Sequence, residues 1–207
     1  MAAGMTDAAY SMIERARQDG SEMLVLRGMG LTALPDELWE LENLQWLDIS
    51  INKLTALPES IGKLKALKGL YVWGNKLTAL PDSIGQLTAL QGLYVWGNLL
   101  TGIPDSIGQL TSMLEFYASD NQLTALPSTI GQLASLQELY VSGNRLTALP
   151  ESMGKLTAIK RLDVSNNRLT SFPESIFKLP ALLMLNTSDN LTQGGLMKFR
   201  LVLPRAG

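Results

Sequence analysis

Between Leu64 and Gln109 the chain repeats itself almost letter for letter: LKALKGLYVWGNKLTALPDSIGQ is followed by LTALQGLYVWGNLLTGIPDSIGQ. The same skeleton runs well beyond that stretch. Leu41, Leu64, Leu87, Leu110, Leu133, Leu156 and Leu179 are each separated by 23 residues. A unit this short cannot bury its apolar face by itself and must stack on its neighbours. The period therefore dictates a solenoid, whose core is a continuous row rather than a ball.

Each unit has the form L-x-x-L-x-x-L-x-x-x-x-N-x-L. The segment L-x-V-x-x-N reads as a short strand with alternating faces. Leu47 and Ile49, Leu70 and Val72, Leu93 and Val95, and Leu139 and Val141 are then core residues. Asn52, Asn75, Asn98, Asn121, Asn144 and Asn167 follow the strands, where a side-chain amide can bond backbone groups that a tight turn leaves unpaired. The return segment opens with Pro58, Pro81, Pro104, Pro127, Pro150 or Pro173. Proline suits the first position of a helical turn, so the far side is expected to carry short helical turns. Gly62, Gly85, Gly108, Gly131 and Gly154 are read as their stops, and acidic residues such as Glu59, Asp82 and Asp105 as complements to their positive ends.

The ends depart from the pattern, as terminal repeats do. Residues 6–19 predict an amphipathic helix capped by Thr6 or Asp7, with Ala9, Met12, Ile13 and Ala16 on one face and Gly20 ending it. Gln18 to Glu40 is a degenerate first repeat with Met29 in the asparagine position. The last unit fails after Asn190, and the alternating Met197, Phe199, Leu201 and Leu203 can pair with or cover the final edge strand. The expected organisation is a capping helix over 1–20, a repeat array over 21–190 and a cap or tail over 191–207. Self-association through that edge is the less favoured reading of the tail.

Charge and composition narrow the function. The net charge is −2 and no basic face is evident, which disfavours nucleic acid or an anionic membrane as partner. No stretch approaches the roughly 18 apolar residues of a membrane span. The chain has no histidine and no cysteine, so it lacks the commonest general base, the best nucleophile and any thiolate metal site. No cofactor is expected.

The motif L-x-x-L-x-x-L-D-V-S-x-N-x-L-T-x-L-P-E-S-I-G-K-L resembles the 23-residue intracellular leucine-rich repeats of plant Ras-group, Ras-suppressor-like and bacterial Roco proteins. The opening I-E-R-A-R…L-x-L-x-G-M-G-L-T-A-L-P-D-E-L is similar to the start of bacterial arrays of this kind. The resemblance implies an α/β fold: a right-handed solenoid with a concave parallel sheet and short helical turns on the convex side. It also implies an interaction module that presents the concave face to a protein or peptide. Many extracellular members staple their caps with disulfides. Without cysteines or a recognisable secretory signal, the expected location is the cytoplasm, with delivery as an effector independent of a Sec signal as the alternative.

Candidate binding residues follow from the strand positions that face away from the leucines. Counted from the first leucine of each unit, position eight reads Asp48, Tyr71, Tyr94, Tyr117, Tyr140, Asp163, Asn186. Position ten reads Arg27, Ser50, Trp73, Trp96, Ser119, Ser142, Ser165, Ser188, and position six reads Trp46, Gly69, Gly92, Glu115, Glu138, Arg161, Met184. With strands about 4.8 Å apart, four tyrosines make a ladder about 14 Å long beside two tryptophans. Cross-strand stacking alone stabilises a sheet, but large rings on a water-facing surface mark a binding face. The candidate partner-binding residues are Trp46, Tyr71, Trp73, Tyr94, Trp96, Tyr117 and Tyr140, with Glu115, Glu138 and Arg161 adding polar selectivity. Gly69 and Gly92 are expected to leave a recess for a partner side chain, and the position-ten serines to be solvated. Carbohydrate, which stacks on the same ring types, is the alternative ligand. Glu115 and Glu138, about 5 Å apart by strand spacing, also fall near the separation of a retaining glycosidase pair; that reading ranks below binding, and no catalytic residue is assigned.

Overall fold

The computed structural model describes residues 7–191 and the backbone of 200–202. Helix α1 (Asp7–Asp19) leads into β1 (Met23–Val25), β2 (Trp46–Asp48), β3 (Gly69–Tyr71), β4 (Gly92–Tyr94), β5 (Glu115–Tyr117), β6 (Glu138–Tyr140), β7 (Arg161–Asp163) and β8 (Met184–Asn186). These eight strands pair in parallel and in chain order, each residue against the one 23 positions later. Five-residue 3-10 turns, from Asp36–Glu40 to Glu174–Lys178, return the chain along the opposite side. The result is the right-handed solenoid with a concave parallel sheet that the repeat dictates.

The core is the stack of inward strand residues Leu24, Leu47, Leu70, Leu93, Phe116, Leu139, Leu162 and Leu185, with Ile49, Val72, Val95, Val141 and Val164 beside them. Strands of three residues supply few ladder bonds; backbone bonds between coils pair much of the rest, and side chains must pair the groups left inside the turn. The asparagines do so. Asn98 Oδ1 accepts from Leu77 N–H at 3.0 Å, one coil back, while its Nδ2 donates to the carbonyls of Val72 (3.1 Å) and Val95 (2.9 Å). The same arrangement recurs at Asn52, Asn75, Asn121, Asn144, Asn167 and Asn190, all buried.

One position before each of these asparagines the backbone turns left-handed. Ile51, Gly74, Gly97, Asp120, Gly143, Asn166 and Asp189 all have φ between 50° and 66°, and Gly28, before Met29 in the first repeat, has φ 70°. Glycine, asparagine and aspartate tolerate that region; β-branched Ile51, at φ 51°, does not.

The convex glycines have a different role from the one their spacing suggests. Gly62, Gly85, Gly108, Gly131 and Gly154 sit inside the 3-10 turns, not after them. A Cβ on Gly85 would lie 2.5 Å from the Ser106 carbonyl oxygen, and one on Gly131 would lie 2.3 Å from that of Ser152. These glycines are where successive coils touch. Phe177 takes the same place in the last coil, 57% exposed, because no further 3-10 turn packs on it among the described residues. Glu59 likewise acts between coils: its Oε2 accepts from Ser83 N–H at 2.9 Å, and the Ser83 side chain together with that N–H holds its carboxyl below the usual range.

At the ends, α1 buries Ala9, Ile13 and Ala16, but Met12 is exposed, so the buried stripe is narrower than the sequence pattern suggests. Gly20, at φ 61°, ends the helix, and the Thr6 cap lies outside the described residues. Backbone 200–202 forms β9 (Arg200–Val202), antiparallel to β8 with Leu201 opposite Leu185. Met197, Phe199 and Leu203 lie outside the described residues.

Two substitutions test this account. Asn98→Ala strips a buried N–H of its acceptor and should cost about 3 kcal/mol or more in urea unfolding. Ile51→Asn places at φ 51° a residue type that Asn166 shows is accommodated there, and should raise stability by about 1 kcal/mol.

Candidate functional site

The register assembles the outward columns that the repeat predicts. Tyr71 stacks on Tyr94 with ring centroids 4.5 Å apart and planes 4° apart. Tyr117 stacks on Tyr140 at 4.6 Å, and Tyr94 meets Tyr117 at 5.2 Å with a 32° tilt. Trp73 and Trp96 stack at 4.4 Å and 9°. These separations bracket the spacing of adjacent strands, about 4.8 Å, so the sheet itself sets the stacking distance. The tyrosines and Trp73 are half-buried, and Trp96 is 37% exposed.

Arg27, in the same column, extends the tryptophan stack. Its guanidinium lies 4.5 Å from the centroid of the Trp73 ring, across the small Ser50. The repeat register places Arg27 in that column, but its reach over an intervening strand is invisible in sequence. Ile51, whose N–H donates to the Trp73 carbonyl, is 44% exposed and adds apolar surface next to that strand.

The recess expected beside Gly69 and Gly92 is not there. A Cβ on Gly69 would fall 2.3 Å from the Trp46 ring, and one on Gly92 would fall 2.8 Å from the Tyr94 ring. The chain's own aromatic side chains occupy both spaces. Tyr94 leans this way because its hydroxyl donates to Glu115 Oε2 on the next strand. Tyr117 repeats the bond, donating to Glu138 Oε2 at 2.5 Å, and Arg161 pairs with the other oxygen of Glu138. Burial is the main cause that pushes the Tyr94 and Tyr117 phenols well above their ordinary range, with the carboxylate partners adding to it. Burial raises Tyr140 as well.

These bonds bear on the carboxylate pair. Glu115 and Glu138 are neighbours in register, but each accepts from a tyrosine, and Glu138 also faces a cation. A retaining pair needs one carboxyl as acid and the other as a free nucleophile at a shared opening. The arrangement instead suits an ordered polar border to the ring ladder. The half-exposed Arg161–Glu138 pair adds little stability.

The position-ten serines also differ from expectation. Ser50 and Ser165 are buried, donating through both N–H and hydroxyl to Asp48 Oδ1 (2.9 and 2.5 Å) and Asp163 Oδ1 (2.9 and 2.6 Å). The Ser119 and Ser142 hydroxyls bond each other at 2.9 Å. Ser50 and Ser165 are thus out of water, while Ser119 and Ser142 stay half-exposed. Among the described residues no group of three or more histidine, cysteine or acidic side chains is placed to hold a metal, and no helix is long and apolar enough to cross a membrane.

The tyrosine environment has a measurable consequence. Tyr94, Tyr117 and Tyr140 should ionise above the ordinary phenol value near 10, so phenolate absorbance should lag behind that of an unfolded chain. A folded value raised above the unfolded one stabilises the fold fully below pH ~10. That contribution is lost as pH rises through the elevated values. Tyr94→Phe with Tyr117→Phe should remove most of the lagging absorbance.

Comparison with known proteins agrees with the geometry. A family profile described as leucine-rich repeat region matches residues 22–96, and one described as leucine rich repeat matches 88–146 and 134–191. No curated protein matches. Among solved structures, a leucine-rich repeat protein of Leptospira interrogans is similar at 31% identity and TM-score 0.67, over 87% of this chain and 58% of that one. YopM from Yersinia enterocolitica is similar at 35% identity and TM-score 0.74, over 89% of this chain and 37% of that one. The chain thus spans little more than half the length of the first and about a third of the second. Arrays of this kind commonly serve as scaffolds for binding other proteins. From its 23-residue period, its stacked parallel strands and these matches, the chain belongs to the leucine-rich repeat family.

Proposed function

We propose that this chain is a non-catalytic module that binds a protein or peptide on its concave face. Contact is through Trp46, Tyr71, Trp73, Tyr94, Trp96, Tyr117 and Tyr140, with Glu115, Glu138 and Arg161 as a polar border. The observation that carries the proposal is the parallel Trp73–Trp96 stack on the water-facing side of the sheet. Burying rings on an exposed surface is favourable once a partner covers them, and tryptophan, tyrosine and arginine dominate interface energetics. The mode of stacking favours protein over carbohydrate. Sugars lie on ring faces, whereas within each column these rings cover each other's faces, leaving open faces only at column ends such as Tyr71 and Trp96. Histidine and cysteine are absent from the chain and both glutamates of the ladder are already hydrogen-bonded, which favours binding over catalysis.

The test is Trp73→Ala with Trp96→Ala, in pull-downs from the source cell and in thermal unfolding. Each hot-spot ring contributes about 2 kcal/mol or more, so losing one should weaken capture ~30-fold and losing the pair up to ~1,000-fold. The lost stacking is about 0.5–1.5 kcal/mol, or about 1–6 °C in Tm for a chain this size. Binding retained, or a much larger fall in Tm, would show the rings to be structural.

A further inference from the structure

At the N-terminal end of the concave face lies a cavity of about 220 Å³ lined by Met23, Leu24, Val25, Trp46, Asp48 and Tyr71. Its origin is the glycine at position 69. Without a Cβ there, the Trp46 ring lies across β3, 2.3 Å from where that carbon would sit, and turns away from Met23, its register neighbour on β1. Met23 and Val25, on the edge strand β1, are 59% and 43% exposed. Tyr71 closes the other side. One of its faces is covered by Tyr94, and the opposite face looks toward β2 and the short Asp48 side chain. The volume is below the roughly 300–1,000 Å³ of small-molecule sites, and so matches one side chain better than a free ligand.

Asp48 is the one charged group in this cup, and the turn does not require its charge. Oδ1 accepts both bonds from Ser50. In the last repeat Asn186 does the same work with a neutral amide, accepting from Ser188 N–H at 3.3 Å and its hydroxyl at 2.9 Å. The second oxygen of Asp163 accepts from Asn186 at 3.2 Å, but Asp48 faces Tyr71 instead, and no hydrogen bond falls on its Oδ2 among the described residues. The nearby cation Arg27 lies on Trp73 and makes no ion pair with Asp48. A carboxylate oxygen without a partner thus sits in a cup of Met, Val, Trp and Tyr.

We propose that this cup seats a lysine or arginine side chain of the partner, which fixes that partner's register along the aromatic ladder. The aliphatic stem packs on Met23 and Val25, and the charge meets Asp48 Oδ2 and the open face of Tyr71. This rests on the reading of the concave face as a peptide-binding surface and names what one end of it selects.

The experiment is to pan a random linear peptide library on the wild-type chain, on Asp48→Asn and on Val25→Trp. Asp48→Asn keeps the oxygen that holds Ser50, as Asn186 does. Val25→Trp fills the cup without changing its charge. Wild type should enrich peptides with lysine or arginine at a recurring position, and both variants should lose that preference. A synthetic copy of the selected peptide with norleucine at that position should bind wild type at least about 10-fold more weakly, and Asp48→Asn about equally with the parent peptide. Enriched peptides without a cationic position, or a preference that survives in Asp48→Asn, would overturn the proposal and leave peptide binding standing. If wild type enriches nothing, the peptide-binding reading fails and the cup's role fails with it.

Discussion

The structure depends on buried asparagine amides that pair backbone from two coils at once. A three-residue strand leaves most of a 23-residue coil outside regular secondary structure, and its turn would strand polar groups in an apolar interior. Each asparagine accepts from the previous coil and donates to carbonyls of both, so coils cannot slide relative to one another without breaking several buried bonds. The left-handed residue before it aims the amide inward, and for that reason glycine, asparagine and aspartate recur at that step. Ile51 is the exception, and its N–H donates to the Trp73 carbonyl.

Locking the step at 23 residues has a consequence for the face opposite the core. Every outward position becomes a straight column whose rungs are one strand spacing apart, close to the contact distance of stacked rings. Identical residues in adjacent repeats therefore stack without any adjustment of backbone. The duplicated LYVWGN segments place Tyr71 on Tyr94 and Trp73 on Trp96 in this way. Other contacts cross between columns or skip a rung: tyrosine hydroxyls reach the glutamates of the next strand in the neighbouring column, and Arg27 passes Ser50 within its own column to reach Trp73.

The two sides of the solenoid use glycine for different ends. On the convex side it lets 3-10 turns of successive coils touch, and where the stack of turns ends Phe177 replaces it. On the concave side Gly69 and Gly92 receive the rings of Trp46 and Tyr94. The displaced Trp46 ring opens the cup around Asp48, so a missing Cβ on β3 shapes the surface two strands away.

Much of this protein was legible in its letters. The 23-residue period determined the solenoid, alternation determined which strand residues face the core, and register placed Tyr71, Tyr94, Tyr117 and Tyr140 in one row. Those are consequences of backbone geometry, which is the same in every repeat. Tertiary structure alone decided what each side chain does within its column: that Gly69 is covered and not a recess, that Glu115 and Glu138 are held by Tyr94 and Tyr117, that Ser50 is buried against Asp48, and that Gly85 is a contact rather than a stop. Most of these contacts join residues about one repeat apart in the chain. Their outcome depends on the room a neighbouring coil leaves, and periodicity carries no information about that room.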